Sequence, residues 1–357
     1  MRIVSLLPSA TEMICGVGRG QDLVGVTHEC DFPPRVRGLP AVTKTLIPSD
    51  TTSREIDTVV RERLTKSRAL YTLDLPVLEA LRPNLIVTQT LCQVCAVAED
   101  EVRAATCGLP GKPEVLNLKP EKLEDVLRAI REVGWATDAT RVADAFVASL
   151  EARVERVAEG GARIRERPLV LLLEWLDPPF SSGHWNPQLV RIAGGIEVLG
   201  REGQRSRTVS WEEVIASAPE AVIVSCCGYD LERTVRDLPI LESVPGWART
   251  PAARSGRVYL VDGSQYFSRP GPRLVDSLEI LAHALHPTVH PAPTAWSRAV
   301  RREPATAGLC RSCHHRRDVS SRRGSRFVLC LRSRDDPAFP KYPELPVTRC
   351  SGFELTA

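Results

Sequence analysis

The chain has 357 residues, which exceeds the usual size of a single hydrophobic core, so we expect two or three domains. Hydrophobic residues make up 43% and charged residues 25%, and both fractions are typical of globular proteins. The net charge is only +3, and no apolar run approaches the ~18 residues of a membrane-spanning helix. These values exclude a membrane-spanning protein of helical type and give the chain as a whole no electrostatic reason to bind nucleic acid.

Charge is nevertheless unevenly distributed along the chain. Residues 298–334 contain eleven arginines and only two acids, Glu303 and Asp318, so this segment carries about +9 and the rest about −6. A basic tail of this kind leaves nucleic-acid binding open for the tail alone, although few aromatic residues accompany the arginines.

The N-terminus and the cysteines together predict the compartment. The apolar run Ile3–Leu7 ends at Pro8 and is shorter than the ~7–15 residues of a signal-peptide core, so we interpret it as a first strand. Eleven cysteines, an odd number that includes adjacent and CxxC pairs, suit a reducing compartment better than a disulfide framework. The sequence therefore predicts a cytoplasmic protein.

Strand and helix signals alternate through the first 118 residues. Polar N-cap patterns predict that two of the helices begin at Ser9–Glu12 and at Thr52–Glu55. A further helix is predicted at Leu75–Leu81. The predicted strands are Arg2–Leu6, Leu23–Val26, one beginning at Tyr71, Leu85–Thr88 and Val115–Leu118.

Residues 120–165 differ because they have helical periodicity and no strand signal. Gly134 and Asp138 indicate a break between two helices. The alternation of strands and helices then resumes at Pro168, with Ser210–Glu213 as a third N-cap pattern. Strands are predicted at Leu169–Leu173, Ala221–Ser225 and Val258–Val261, and helices at Asn186–Ala193 and Arg273–Leu285.

This order predicts an α/β protein with two βα lobes joined by a long helical backbone, followed by a small cysteine-rich module. The predicted units are an N-terminal lobe at 1–119, a helical spine at 120–165, a C-terminal lobe at 166–287, a linker at 288–307 and the cysteine-rich module at 308–357.

Three of the predicted strands end in side chains that suit a ligand site. Open α/β sheets leave a crevice at the carboxyl ends of their strands, and aromatic faces there offer a large contact area. A self-packed loop is the alternative for the tryptophans. Ordinary helix packing, a redox pair or half of a metal site are the alternatives for the CxxC. The candidate residues are Gln89, Cys92 and Cys95 after the first strand, Glu174, Trp175, Asp177, Phe180, His184 and Trp185 after the second, and Cys226, Cys227 and Tyr229 after the third.

Two further segments are candidates for the walls of the same cleft. His28–Asp31 follows a short strand and is either a second pocket wall or a polar turn. Tyr266 begins a segment that leads to Arg269 and Arg273 at the start of the last helix, where they can bind a phosphate or carboxylate. A solvated, proline-stiffened turn is the alternative. Motifs for nucleotide binding, serine hydrolysis or zinc proteolysis are missing, so the sequence carries no catalytic signature.

The tail has four cysteines with the spacing C-x2-C-x16-C-x19-C. A module of this size rarely buries enough core to fold without a metal or disulfides. The sequence predicts that zinc or an iron–sulfur cluster is bound, with His314 and His315 as spare ligands. The predicted ligands are Cys310, Cys313, Cys330 and Cys350.

Six segments of the body match a known family in sequence. They are RIVSLLPSATE (Arg2–Glu12), VGVTHECDFP (Val24–Pro33), TQTLCQVCAV (Thr88–Val97), EWLDPPF (Glu174–Phe180), GHW (Gly183–Trp185) and VDGSQYFSRPGPRLVD (Val261–Asp276). On these segments, residues 1 to about 287 resemble cobalamin-binding proteins of the helical-backbone periplasmic-binding type, the substrate-binding subunits of cobalamin and iron-siderophore importers. The resemblance implies two lobes on a long helix with the ligand in the cleft between them. The tail is similar to small bacterial proteins that end in F-P-K-Y-P-x-L-P-V-x-x-C.

The resulting hypothesis is a cytoplasmic corrinoid-binding protein for uptake, salvage or sensing, which works with an ABC permease or a salvage enzyme. A binder of haem or an iron siderophore is an alternative, and so is an enzyme that modifies a corrinoid or another metal-tetrapyrrole with cleft thiols. A sensor whose tail binds metal or nucleic acid is a further alternative. In the main hypothesis, Tyr71, Trp175, Phe180 and Trp185 pack on the macrocycle, Gln89, Asp177 and Arg273 bond its polar groups, and His28, His184 or a cleft cysteine ligates cobalt.

Overall fold

The computed structural model describes residues 1–48, 51–66, 70–89, 111–302, 310, 313–320, 326–343 and 350–354, and five positions between 102 and 109. Cys92 and Cys95 lie outside the described residues.

The first lobe combines a parallel sheet with helices. Its strands are β1 (Ile3–Ser5), β2 (Leu23–Gly25), β3 (Thr43–Thr45), β4 (Tyr71–Leu73), β5 (Leu85–Gln89) and β6 (Glu114–Leu118), and its helices are α1 (Pro8–Gly16), α2 (Ser53–Thr65) and α3 (Leu75–Leu81). Four of the strands form the parallel sheet in the order β2-β1-β5-β6. Strands β3 and β4 form a separate antiparallel ribbon.

The two N-cap patterns of this lobe have different outcomes. At Thr52 the box forms, because the Thr52 side chain accepts from the Glu55 amide and the Glu55 carboxylate accepts from the Thr52 amide. The box predicted at Ser9 is wrong, since α1 already begins at Pro8 and Leu7 is its N-cap. Proline fits the first helical position because its fixed φ suits the helix and its missing N–H would have no partner there.

The spine consists of α4 (Leu123–Ala136) and α5 (Thr140–Ala162), which confirms the predicted break. Asp138 has a φ of +52° between the two helices. Gly134 lies inside α4, where an added Cβ would overlap the Cβ of Ala143. Glycine therefore lets the two helices cross closely instead of separating them.

The second lobe contains a six-stranded sheet and five described helices. The strands are β7 (Leu169–Leu176), β8 (Pro179–Ser181), β9 (Ile196–Glu197), β10 (Ala221–Val224), β11 (Val258–Val261) and β12 (Ala299–Arg302), and the helices are α6 (Asn186–Ile192), α7 (Trp211–Ala216), α8 (Leu231–Glu242), α9 (Pro251–Ser255) and α10 (Leu274–Leu285). The sheet order is β12-β11-β10-β7-β8, with β9 also paired to β7. Strands β7, β10 and β11 are parallel, whereas β8 and β12 run antiparallel at the edges.

Strand β12 lies within the segment predicted as a linker, 288–307. It pairs antiparallel with β11, for example Leu260 with Val300. Just before it, the Trp296 ring packs in a T-shaped arrangement against the His283 ring on α10, with the ring centroids 4.6 Å apart. The segment up to residue 302 is therefore part of the second lobe as well as the connection to the tail.

The hydrophobic core extends through both lobes and the spine. Strands β5, β10 and β11 are buried at every position, as expected for parallel strands covered by helices on both faces. The largest buried cluster runs from Ile3 in the first lobe through Ile130 on the spine to Leu278 in the second. The predicted α/β architecture of two lobes on a helical spine is confirmed. Among the described helices, none combines the length and the hydrophobicity that crossing a bilayer requires.

Beyond β12, the described part of the tail forms a two-stranded hairpin of β13 (Arg316–Ser320) and β14 (Arg326–Cys330). Among the tail side chains whose burial is described, the buried apolar ones are Cys310 and Val328.

Candidate functional site

Strand β7 continues three residues beyond its predicted end and turns directly into β8. The Glu174 carboxylate accepts hydrogen bonds from the Gly183 amide (3.0 Å) and from the Asn186 side-chain nitrogen (2.8 Å). Burial raises the pKa of Glu174, against the hydrogen bonds that lower it. Glu174 therefore holds the segment that follows β8 against β7 by hydrogen bonds, so its role is structural.

Trp185 and His184 are turned toward the protein interior. Trp185 is only 5% exposed and its indole N–H donates to the Phe267 carbonyl at 2.6 Å, so it packs in the core in this conformation. His184 stacks on it with ring centroids 5.5 Å apart and has a φ of +51°. Its buried Nε2 has no hydrogen-bond partner among the described residues, and burial lowers the pKa of His184.

Trp175 and Tyr229 form an aromatic pair at the boundary between the lobes. Their ring centroids are 4.7 Å apart. The Trp175 indole N–H donates to the carbonyls of Asp177 (3.0 Å) and Ser53 (3.3 Å), and the Tyr229 hydroxyl is 3.1 Å from Ser53 Oγ. Because Ser53 begins α2, a helix of the first lobe contacts both rings.

Asp177 and Phe180 also contact α2. The Arg54 guanidinium binds both Asp177 carboxylate oxygens, at 2.5 and 3.1 Å. The Arg61 guanidinium lies 5.6 Å from the centre of the Phe180 ring. Four of the predicted ligand residues, Trp175, Asp177, Phe180 and Tyr229, are thus brought together under one helix.

The two described candidate thiols of the second lobe differ in accessibility. Cys226 is 1% exposed, and burial raises the pKa of its thiol far above the usual range. A neutral buried thiol is a poor nucleophile and a poor metal ligand. Cys227, which follows it, is exposed.

The first lobe contributes a polar wall at the ends of β2 and β5. His28 is exposed, its Nδ1 lies 2.8 Å from Thr43 Oγ1, and its ring is 5.5 Å from that of Tyr71. The Tyr71 hydroxyl donates to Glu29 at 3.2 Å. Gln89 ends β5 and is 4% exposed, with its side-chain oxygen unpaired among the described residues.

A second inter-lobe contact joins α1 to the start of α10. The Arg273 guanidinium donates to both oxygens of Glu12, at 2.5 and 3.0 Å, and both side chains are less than 10% exposed. Arg269 adds an ion pair with Asp31 at 2.5 Å. Burial raises the pKa of Glu12, and the two guanidinium groups oppose that rise.

Arg273 therefore binds a carboxylate of the chain itself. Its guanidinium also lies over the rings of Phe32 and Tyr266, at 4.4 and 5.5 Å from their centres. Local sequence patterns do not predict that Glu12 pairs with Arg273, because the two residues are 261 positions apart. An open cavity of about 450 Å³ adjoins this contact and reaches the spine. It is lined by Glu12, Cys15, Gly16, Phe32, Pro33, Pro34, Arg35, Phe146, Pro272 and Arg273.

The four tail cysteines lie in segments that backbone hydrogen bonds hold together. The amide of Leu331, next to Cys330, donates to the His315 carbonyl at 2.8 Å. The amide of His314, next to Cys313, donates to the Glu354 carbonyl at 2.7 Å. Within the described residues, however, no three His, Cys, Asp or Glu side chains are arranged to hold a metal ion. Metal binding by Cys310, Cys313, Cys330 and Cys350 stays a prediction.

With this geometry established, comparison with known proteins identifies the family. A family model described as periplasmic binding protein matches residues 3–264. The chain belongs to the periplasmic binding protein family. The predicted resemblance to substrate-binding subunits of ABC importers is confirmed at the level of the family.

Individual relatives share the fold at low sequence identity. An uncharacterized ABC transporter substrate-binding lipoprotein of Bacillus subtilis is 23% identical over 291 residues, covering 80% of each chain. A periplasmic haem-binding protein from Pseudomonas aeruginosa has a TM-score of 0.65 at 21% identity and covers 85% of this chain and 98% of its own. The periplasmic vitamin B12-binding protein of Vibrio cholerae has a TM-score of 0.58 at 18% identity and covers 80% and 96%.

Membership in this family decides two further expectations. The chain is a solute-binding protein and not an enzyme, as predicted. The predicted cytoplasmic location is wrong, because the family and these relatives are periplasmic proteins or lipoproteins, which function outside the cytoplasm. Ile3–Ser5 is indeed a strand. A strand at that point describes the fold and carries no information about the compartment, and a cysteine count is an equally indirect guide to it.

Proposed function

We propose that this periplasmic binding protein holds a corrinoid, cobalamin or a close relative, between its two lobes and delivers it to an ABC permease. The observation that carries the proposal is the placement of aromatic side chains on both lobes at strand ends. Trp175 and Tyr229 pair on the second lobe, and His28 and Tyr71 pair on the first. Flat faces with one polar handle suit a large macrocycle bordered by amides.

The sequence words support the same ligand class. The segments that resemble the cobalamin-binding subgroup contain His28, Gln89, Trp175 and Asp177. These residues lie at the ends of β2, β5 and β7. In the proposal, Trp175, Phe180, Tyr71 and Tyr229 pack on the macrocycle. Gln89 and Asp177 bond its amides. Trp185 is left out because its indole N–H donates to the Phe267 carbonyl inside the second lobe. Tyr71 and Tyr229 are themselves only 8% exposed, so a ligand reaches their rings only after the groups that cover them move.

The proposal is tested by titrating the full-length protein with cobalamin while recording tryptophan fluorescence and the corrin absorption bands. Saturable quenching at one equivalent, in the micromolar range or tighter, is the expected result. In Trp175→Phe the quenching amplitude should fall, whereas in the exposed Trp135→Phe it should not. Absence of saturable quenching by any corrinoid would overturn the proposal.

Haem is the second candidate, and a specific pair of residues favours it. His28 is exposed beside Tyr71, and imidazole and phenolate are both axial ligands of haem iron in proteins. The fold is also similar to that of the haem-binding protein from Pseudomonas aeruginosa. A parallel titration with haemin distinguishes the candidates. If haemin binds more tightly than cobalamin and its Soret band shifts in His28→Ala, haem becomes the proposed ligand in place of the corrinoid.

We also propose that the tail cysteines bind one zinc ion, because a module of this size rarely buries enough core to fold unaided. Mass spectrometry under native conditions should find one zinc per chain, lost in Cys310→Ser together with Cys313→Ser. A mass that corresponds to two disulfide bonds, with no metal, would show that oxidation stabilises the tail instead.

A further inference from the structure

Helix α2 belongs to the first lobe but begins on the second. It lies between β3 and β4, the two strands of the antiparallel ribbon. Ser53, its first residue, is 2% exposed, and its hydroxyl bonds to Tyr229 Oη and to the Asp237 carboxylate. Asp237 and Tyr229 are both residues of the second lobe, so the start of α2 crosses the boundary between the lobes.

The apolar side chains of α2 are divided between the lobes. Ile56 packs against the buried cluster of the second lobe, whereas Val60 and Leu64 pack against that of the first. Ser53 is the only buried residue of the thirteen in α2, while seven of the nine residues in α1 are buried. A helix with so few buried contacts detaches at a lower free-energy cost than the core elements do.

The remaining contacts of α2 with the second lobe are polar and solvent-accessible. Arg54 pairs with Asp177, although its own side chain is 70% exposed. Arg61 donates to Thr208 at 2.9 Å, and Arg233 of the second lobe donates to the Thr51 carbonyl at 3.0 Å. Exposed ion pairs are weak and screened by salt, so these contacts hold α2 in place reversibly.

The side chains that α2 covers coincide with the proposed ligand site. Its first turn contacts Trp175, Asp177 and Tyr229, and Arg61 covers Phe180. A macrocycle that packs on these rings has to occupy the volume that the start of α2 fills. We propose that α2 is a lid, which leaves the second lobe to admit the ligand and contacts it after binding.

The docked and undocked states of the lid are tested first without any ligand. Hydrogen exchange of the full-length protein is compared in Ser53→Arg, Arg54→Ala and Arg131→Ala. Arg131 serves as the matched control, because its ion pair with Glu151 is also accessible to solvent but lies on the spine. Amides of α2 should exchange roughly tenfold faster in Ser53→Arg, a few-fold faster in Arg54→Ala and unchanged in Arg131→Ala.

The second half of the inference rests on the proposed function, and its test uses cobalamin and haemin as probes. Stopped-flow quenching should show faster association in Arg54→Ala than in Arg131→Ala, because a larger open fraction raises the rate of entry. Higher ionic strength should raise the association rate of the parent protein and leave the association rate of Arg54→Ala unchanged. Asp237→Asn is the milder variant if Ser53→Arg fails to fold.

These outcomes separate the two proposals. If exchange in α2 is the same in every variant, the lid is overturned whatever the ligand. If exchange responds as expected but neither probe binds, the ligand assignment fails and α2 is only a latch between the lobes. If a probe binds with the same association rate in all variants, the site lies elsewhere and α2 does not gate it.

Discussion

The two contacts between the lobes are chemically opposite. At the first, Glu12 and Arg273 form a bidentate ion pair that is almost fully buried. At the second, α2 meets the other lobe through one buried serine, Ser53, and through the ion pair of Arg54 with Asp177, in which Arg54 is 70% exposed. Burial makes the first contact costly to break, since a single remaining charge would be left without water. The lobes are therefore joined by one contact that is hard to break and one that can open.

The buried contact should give the largest effect when it is broken. Arg273→Ala leaves the Glu12 carboxylate buried without its main partner, and we expect a loss of about 3–5 kcal/mol in the free energy of unfolding. Urea denaturation at pH 7 measures this. The double variant Glu12→Leu with Arg273→Met should recover most of the loss, because it removes both charges. A loss below about 1 kcal/mol for Arg273→Ala alone would show that the pair is dispensable.

A half-buried carboxylate whose described hydrogen-bond donors are neutral groups sharpens the comparison between the two contacts. Glu197 accepts hydrogen bonds from the amides of Leu172, Leu199 and Gly200, yet burial outweighs them and raises its pKa to about 7. The folded state therefore binds the proton more tightly than the unfolded state. The resulting stabilisation is complete below the unfolded pKa near 4.5 and is lost as the pH rises through 7.

We expect this group to contribute about 1–3 kcal/mol of pH-dependent stability, discounted because Glu197 is not fully enclosed. Chemical denaturation between pH 4.5 and 7.5 should show the decline in the parent protein. Glu197→Gln should flatten it in that window. An unchanged slope in the variant would assign the pH dependence to other groups, such as Glu174, whose pKa burial also raises.

The exposed contact should give the smallest change in stability. Arg54→Ala removes the ion pair with Asp177, and we expect less than about 1 kcal/mol, because water and salt already screen the pair. Thermal denaturation of Arg54→Ala and Arg131→Ala should be nearly superimposable. A loss as large as that of Arg273→Ala would remove the distinction between the two contacts.

Local signals in the sequence predicted most of the fold. Apolar runs such as Leu85–Thr88 and Ala221–Ser225 are buried strands, and the N-cap pattern at Thr52 begins a helix. These features depend on neighbouring residues, so a pattern of a few positions is sufficient. The two lobes and the spine follow from their order along the chain.

The long-range contacts of the candidate site could not be predicted in the same way. Glu12 fits an N-cap pattern, yet its carboxylate pairs with Arg273. Ser53 begins an ordinary amphipathic helix, and nothing nearby in the sequence indicates that it bonds to Asp237. Trp175 and Trp185 are ten positions apart in sequence, yet Trp185 is buried in the core and Trp175 lies at the lobe boundary.

Strand β12 has a practical consequence for isolating the binding unit from its tail. It covers the edge of β11 from Val258 to Val261, all four residues of which are buried. A truncation after residue 287 would leave the backbone groups of that edge free to pair with other chains, and such edges promote aggregation. Proteolysis or recombinant trimming that is meant to yield a monodisperse binding unit should therefore cut after Arg302.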